Sequence, residues 1–335
     1  MSLDRWKSIA FAAIAAFGCA VAGAQTPSAG KPYVPPRLAD GKPDLQGVWA
    51  NNTATPLERP KMLDGRARLT QQEVAALKKR YAEIFAGDGD AAFGDSIFEA
   101  VLSEVQKYKP TTFDAATGNY NAFWLVEREF DERTSLIVDP ADGRLPAMTP
   151  DGTRRRDAMI KEMARMNDGP EGRNVAERCI TFGVPDLLAG YNSYYQIVQS
   201  PDAIVFYNEK IHDARVIRLN GQPHPPAVVR TWVGDSRGRW EGDTLVVETS
   251  NLRIGVAGSS ANVQLIERFT RVGPHTLNHE ITFNDPATWT RPWTLMIPLR
   301  LTNERIYEYA CHEGNSSMSG MLAGARVEEA AATTH

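Results

Sequence analysis

Residues 263–283 read VQLIERFTRVGPHTLNHEITF. Two runs rich in strand-forming residues, 263–271 and 276–283, flank Val272-Gly273-Pro274. In the second run Leu277, His279, Ile281 and Phe283 fall on one alternating face, the period of a strand with one side turned inward. Gly-Pro breaks the ladder between the runs, so the segment predicts an antiparallel hairpin.

The pattern continues on both sides. Upstream, strands are predicted at 194–199, 203–209, 211–219, 228–233 and 244–249; downstream, at 289–299 and 305–311. Ser200-Pro201-Asp202, Asn220-Gly221, Glu241-Gly242-Asp243 and Asn284-Asp285-Pro286 punctuate them. Shorter β-like runs stand earlier, at 45–49, 123–130 and 135–138, the last followed by the turn Ala141-Asp142-Gly143-Arg144. So many short strands joined by tight turns predict a mainly β fold, an antiparallel meander. A meander this long must hide its edges, so it closes into a barrel or a strongly curled sheet. The absence of an internal repeat argues against a propeller.

A few peripheral helices interrupt the strands. Thr70-Gln71-Gln72-Glu73 reads as a capping box. Val74, Leu77, Tyr81, Ile84 and Phe85 then recur at helical spacing, and Gly87 is the expected stop. A second helix is predicted from Ser96 to Pro110, with Ile97, Val101, Leu102, Val105 and Tyr108 as its stripe. A third begins at Thr149-Pro150, and its stripe of Met159, Ile160, Met163 and Met166 is assigned to core packing. The chain therefore divides into a signal peptide at 1–24, an extended lead-in at 25–43, and a single β-rich domain at 44–330. Helical insertions fall near 70–110 and 149–167.

The leader has Arg5 and Lys7, an apolar run over 9–21 broken by Gly18, and Ala22-Gly23-Ala24, the small-x-small pattern of a cleavage site. The run falls short of the roughly 20 residues a membrane span needs, and no later segment approaches that length. Cys19 sits in a poor lipobox. Cleavage near Ala24 predicts a periplasmic or secreted protein. Losing Asp4, Arg5 and Lys7 leaves 35 basic against 40 acidic residues, a net charge of −5 in place of −4. This mild acidity, without a basic tract, argues against nucleic acid as partner. Cys179 and Cys311 remain after cleavage, and two thiols in an oxidising compartment most simply form one disulfide.

Chemistry-bearing residues are few. In Ile211-His212-Asp213-Ala214-Arg215, strand alternation puts Asp213 and Arg215 on one face, as an ion pair, and His212 on the other. His212 is either a pocket acid–base group or an ordinary surface histidine. His279, on its apolar face, is either a satisfied core histidine or a substrate-binding group. Glu308 and His312 share a strand face but lie roughly 13 Å apart along it at ~3.3 Å per residue, so they meet only if the chain bends after Cys311. Tyr194, Trp240, Trp289 and Trp293 are the aromatic candidates to shape a pocket, with sheet packing as the competing account. Gly234-Asp235-Ser236-Arg237-Gly238 matches G-x-S-x-G, but a strand rather than a helix follows, so it reads as a hairpin loop. No His-Glu-x-x-His occurs and no glycine loop opens a helix. No organic cofactor is expected, and a divalent metal held by His212, His279 and His312 has only weak support.

Three runs carry a resemblance: SLIVDP at 135–140, GDSRGRWEGDTLVV at 234–247 and YEYACHEGN at 307–315. They resemble a family of secreted bacterial proteins, common in soil and aquatic bacteria, that has no assigned reaction. The resemblance spans about 33–329. It implies export and a single domain, and it hands over no catalytic residue. Three functions are weighed. The first is an exported enzyme working on a small apolar or aromatic metabolite by acid–base chemistry, as a lyase, isomerase or hydrolase. In it His212 transfers the proton, Glu308 or His312 assists, and Tyr194, Asp213, Arg215, Trp240, His279, Trp289 and Trp293 surround the substrate. Histidine suits that task because its unperturbed pKa lies near 6.5. The second is an exported small-molecule binding protein without catalysis. The third is an envelope module with an exposed aromatic patch.

Overall fold

The computed structural model describes residues 33–84, 98, 101, 128–187 and 189–333. The leader, the first part of the lead-in, the stop at Gly87 and most of the second helix and of the 123–130 run lie outside the described residues. Among the described residues there are ten strands: β1 (Gly47–Ala50), β2 (Ile137–Asp139), β3 (Tyr194–Gln199), β4 (Ala203–Asn208), β5 (Ala214–Arg218), β6 (Asp235–Glu241), β7 (Thr244–Ser250), β8 (Gln264–Gly273), β9 (Thr276–Asn284) and β10 (Trp293–Thr302). Neighbours from β3 to β10 pair in chain order, and β1 joins β3 to β10, so nine strands close a barrel. β2 adds to β10 beside β1. Closure leaves the nine without a free edge, as the meander required.

One pairing departs from the meander: β5 and β6 run parallel. The predicted strand at 228–233 is absent. Pro225 and Pro226 stand just before it, and its ladder reduces to an isolated bridge between Thr231 and Leu252. The chain instead crosses over and re-enters at Asp235, making β6 from the segment read as a hairpin loop. Gly238, which looked like turn glycine, faces the barrel interior. A Cβ there would stand 2.7 Å from Ile217 Cγ2 and Leu219 Cδ2, so the glycine serves close approach between strands. The predicted strand at 305–311 is also absent. β10 continues to Thr302 and its far edge is already taken by β2 and β1, so the residues beyond it form an irregular strap.

The α-helices described over their length are α1 (Gln71–Ile84), α2 (Pro150–Met163) and α3 (Ser316–Ala332). α1 has the expected capping box: Glu73 Oε2 accepts the Thr70 N–H at 2.8 Å, and Thr70 Oγ1 accepts the Glu73 N–H at 3.2 Å. It packs on a small satellite core with Ala54, Leu63, Leu69, Phe98, Val101 and Phe130. α2 starts at the Thr149 cap, whose side chain accepts from Gly152 N. Its methionine stripe is not core: Met159, Ile160 and Met163 are all more than half exposed. The helix docks through its first turns instead, with Gly152 against Thr288 and Arg155 donating to the Ala287 carbonyl. α3 has no counterpart in the sequence reading.

Register stacks the barrel interior in layers. Leu265, Phe283 and Trp293 are cross-strand partners in one layer, with Thr249 and Ser236 continuing it. The next holds Val247, Glu267, Ile281 and Leu295, and the next Leu245, Phe269, His279 and Ile297. All but His279 are essentially shut off from solvent, and it is only slightly exposed.

Candidate functional site

The interior side chains of β3–β5 and β8–β10 leave a cavity of about 40 Å³, room for about three waters or a few heavy atoms. Its walls include Tyr195, Phe206, Asn208, Asp213, Arg215, Glu267, Phe269, His279 and Leu299, and the loop Gly183-Val184-Pro185-Asp186 covers it. Three residues singled out from sequence, Asp213, Arg215 and His279, therefore meet in one place.

Glu267 is the hub. Its side chain is fully buried, and both carboxylate oxygens accept from the Arg215 guanidinium, Oε1 at 3.0 Å from one terminal nitrogen and Oε2 from the other. Oε1 also meets His279 Nε2 at 2.9 Å. Arg215 is satisfied further by Ser236 Oγ at 2.8 Å and Thr249 Oγ1 at 2.6 Å. Burial pushes the Glu267 carboxyl up, but the Arg215 charge and the hydrogen bonds from His279 and Arg215 outweigh it and hold it at about 2. An ionised carboxylate only accepts, so His279 donates through Nε2, and in the neutral ring the lone pair is then on Nδ1. The imidazole stacks on Phe269 with centroids 4.1 Å apart, and Phe269 leans on Phe206 at 4.7 Å. That fixes the ring plane.

Asp213 is set apart from this network. The expected Asp213–Arg215 ion pair is not formed, because Arg215 turns to Glu267. Asp213 Oδ2 accepts from the Thr181 hydroxyl at 2.6 Å and the Phe182 N–H at 3.4 Å. Burial raises its carboxyl above the ordinary value, and those two hydrogen bonds oppose the rise in part. The cavity thus holds two carboxyl groups pushed in opposite directions, the arrangement that separates a permanently charged group from a proton-exchanging one.

A second buried pair adjoins the cavity at Asp186. Lys210 Nζ donates to Asp186 Oδ2 at 2.7 Å with both side chains buried, and it stands over the Phe182 ring at 5.3 Å. Burial draws the Lys210 ammonium below its usual range, against the pull of Asp186. Tyr195 donates its hydroxyl to the Asp186 carbonyl at 3.0 Å, and burial together with the Asp186 charge keeps that phenol protonated.

The other sequence candidates lie elsewhere. His212 is not on a strand. It sits in a short helical turn after β4 where Ile211 and His212 both take positive φ, 52° and 44°, and this throws the imidazole out of the barrel into solvent. There it lines a groove of about 440 Å³ with Gln196, Tyr207, Ile306, Tyr307 and Glu308. His212 and Glu308 are thus neighbours, but outside the barrel. His312 is not in that groove. The chain carries it past Cys311, whose disulfide with Cys179 fixes the strap at a Cα–Cα distance of 5.7 Å. Tyr194 points outward on β3, half-buried. Trp240 faces the interior but away from the cavity. Trp289 and Trp293 are core: Phe283 lies parallel to Trp293 at 4.2 Å, and Trp289 meets Trp293 edge-on at 5.4 Å. Their placement is corrected from pocket to packing. Among the described residues no group of three His, Cys, Asp or Glu side chains gathers at metal-binding distance, so His212, His279 and His312 do not converge.

Sequence reasoning missed Glu267, the most connected residue of the site. The available signal was its parity: Leu265, Glu267 and Phe269 share one face of the strand, which places a carboxylate between two apolar side chains. Comparison with protein-family models, with curated proteins and with solved structures gave no match.

Proposed function

We propose that the protein is an exported acid–base enzyme acting on a small, largely apolar molecule, with His279 rather than His212 as the proton-transfer group. The observation that carries this is the Glu267–His279 hydrogen bond: a carboxylate locked in its ionised form holds one ring nitrogen and leaves the other as a base beside the cavity. A proton taken by Nδ1 creates an imidazolium that Glu267 stabilises, while the raised carboxyl of Asp213 is suited to exchange a second proton. Phe206, Phe269 and Leu299 suit an apolar substrate, and Arg215 and Lys210 are each already paired, with Glu267 and Asp186. The cavity admits a few heavy atoms, so it fits the reacting end of the molecule. Lyase or isomerase chemistry fits best, since a proton is moved within one substrate. Arg215 and Glu267 position His279.

The Cys179–Cys311 disulfide fits an exported protein, and among the described residues no helix is long and apolar enough to cross a membrane. Cleavage near Ala24 and a periplasmic or secreted location complete the proposal, which the resemblance to secreted bacterial proteins supports. A second reading is a binding protein without catalysis. It is favoured by the closure of the Arg215–Glu267 pair, which a purely structural role also explains.

Turnover of a bacterial metabolite extract by the wild type, His279→Gln and His212→Ala separates these readings. Loss of turnover by two orders of magnitude or more in His279→Gln, with His212→Ala unaffected and both melting curves intact, is the expected result. Full turnover in His279→Gln overturns the assignment. A metabolite retained unchanged by wild type and variant alike establishes the binding reading.

A further inference from the structure

The groove on the outside of the barrel is independent of the cavity. Its floor is the outward face of β3 and β4, where Gln196 and Tyr207 are register partners. Its wall is the strap that follows β10, contributing Ile306, Tyr307 and Glu308, and His212 closes one end. The wall is held in three ways. The disulfide ties Cys311 to Cys179. Tyr309 meets Phe182 and Tyr191 edge-on at 6.1 and 6.3 Å. The Tyr307 N–H donates to Glu209 Oε1 at 3.1 Å. An open site of about 440 Å³ with a fixed wall lies within the range of small-molecule pockets.

The charge of the groove is one-sided. Glu308 is part of the wall. Glu209 lies directly behind Tyr307, 2% exposed, and its Oε2 is buried without a hydrogen-bond partner. Burial raises its carboxyl, and the Tyr307 amide, the Asn192 side chain and Lys210 oppose that only in part. Glu304 and Glu209 add to burial in raising the Tyr194 phenol, which marks a negative local field. On the positive side, Lys210 is turned inward onto Asp186, and Arg305 is on the strap but not in the wall. His212 is the one basic side chain among the described lining residues. Two tyrosine rings stand beside these carboxylates.

We propose that this groove binds a compact organic cation, a quaternary or tertiary ammonium group, held between the Tyr207 and Tyr307 rings with Glu308 as counter-charge. Aromatic faces attract such cations through the ring quadrupole, and a poorly hydrated ammonium loses little on entering. A bare metal ion is a poor fit, because among the described residues no three ligating side chains come together there. The proposal does not rest on the reaction assigned to the cavity.

The test is calorimetric titration of the full-length mature protein with choline and with its neutral isostere 3,3-dimethylbutan-1-ol, at low and at physiological salt. Choline is expected to bind at least tenfold more tightly. Tyr307→Ala and Glu308→Gln, both at exposed side chains, are each expected to weaken choline at least fivefold and to leave the alcohol unchanged. Tyr307→Phe should restore choline binding, since the ring face is kept. His279→Gln should bind choline as the wild type does, which separates this site from the cavity. Equal affinity for choline and the alcohol, or wild-type choline binding in both Tyr307→Ala and Glu308→Gln, overturns the proposal.

Discussion

Two neighbouring layers inside the barrel, built on the same pair of strands, solve the problem of filling space differently. At Leu265, Phe283 and Trp293 the solution is flat rings in contact, with Trp289 across them. Two residues along β8 and β9 the interior holds a carboxylate, and one step on an imidazole, with a guanidinium reaching in from β5. The rings of the first layer need nothing beyond dispersion and exclusion of water, while Thr249 and Ser236, which continue that layer, accept from Arg215. The second desolvates charge, and hydrophobic residues of similar volume often stabilise as well or better. It also keeps an unfilled cavity beside the charges, which stability alone does not call for. That difference is why the second layer, and not the aromatic one, is the candidate site.

The largest effects come from breaking each layer once. Glu267→Gln leaves Arg215 buried without its counter-charge and is expected to cost about 3–5 kcal/mol. Trp293→Ala opens a hole in the stacked layer and is expected to cost a similar ~3–5 kcal/mol. The comparison sharpens on the double replacement Arg215→Met/Glu267→Leu, expected to recover most of the loss by restoring apolar fill, while turnover stays abolished. Urea unfolding of the variants checks the stabilities, and the metabolite-extract assay checks the turnover. A double variant as unstable as Glu267→Gln would mean that the charged layer is required for folding itself.

Acid separates the layers next. The Glu267 carboxyl lies at about 2 in the folded protein against an ordinary 4.5, so it contributes stability that is complete above about pH 4.5. That contribution, about 3 kcal/mol, is lost as the pH falls from 4.5 toward 2. Asp213 acts in the opposite sense: its raised carboxyl costs stability at neutral pH and the cost is relieved as it protonates. Stability curves against pH should therefore lose part of their acid limb in Glu267→Gln and keep it unchanged in Trp293→Ala. Asp213→Asn should remove the relief that precedes the acid limb. An unaltered acid limb in Glu267→Gln contradicts the account of that carboxylate.

The closed β architecture was legible because alternation and turn chemistry are local, and the 263–283 hairpin shows both. The parallel entry of β6 was not, because Gly238 carries the same letter whether it turns a chain or lets two strands approach. α2 was placed by its cap, but its methionine stripe was misassigned: periodicity reports a face, and only the neighbour at Thr288 decides which face docks. In the site, Asp213, Arg215 and His279 stood out as ionisable groups near a predicted strand interior. Their partners did not, since Glu267 is 52 residues from Arg215 and comes to it only when the barrel closes. His212 stands opposite Asp213 and Arg215, as alternation placed it, but which face is the interior is decided across the barrel, where Arg215 meets Glu267, and not by the local sequence.

The smallest effects give the cleanest contrast, since each deletes one polar group at nearly constant shape. Thr249→Val removes the hydroxyl that takes an Arg215 N–H at 2.6 Å and faces Ser236 Oγ at 3.0 Å. A buried, charged donor then lacks an acceptor, and the expected cost is about 1–3 kcal/mol. Trp293→Phe removes the indole N–H, which is buried with no hydrogen-bond partner. The lost ring area is offset by relief of that orphan donor, so the change is expected to lie within about 1 kcal/mol of zero. Thermal melts of the two variants beside the wild type measure both. If Trp293→Phe destabilises as much as Thr249→Val, the indole N–H has a hydrogen-bond partner, and the stacked rings are not a purely apolar counterpart to the charged cluster. If Thr249→Val is neutral instead, Arg215 has a replacement acceptor on the cavity side.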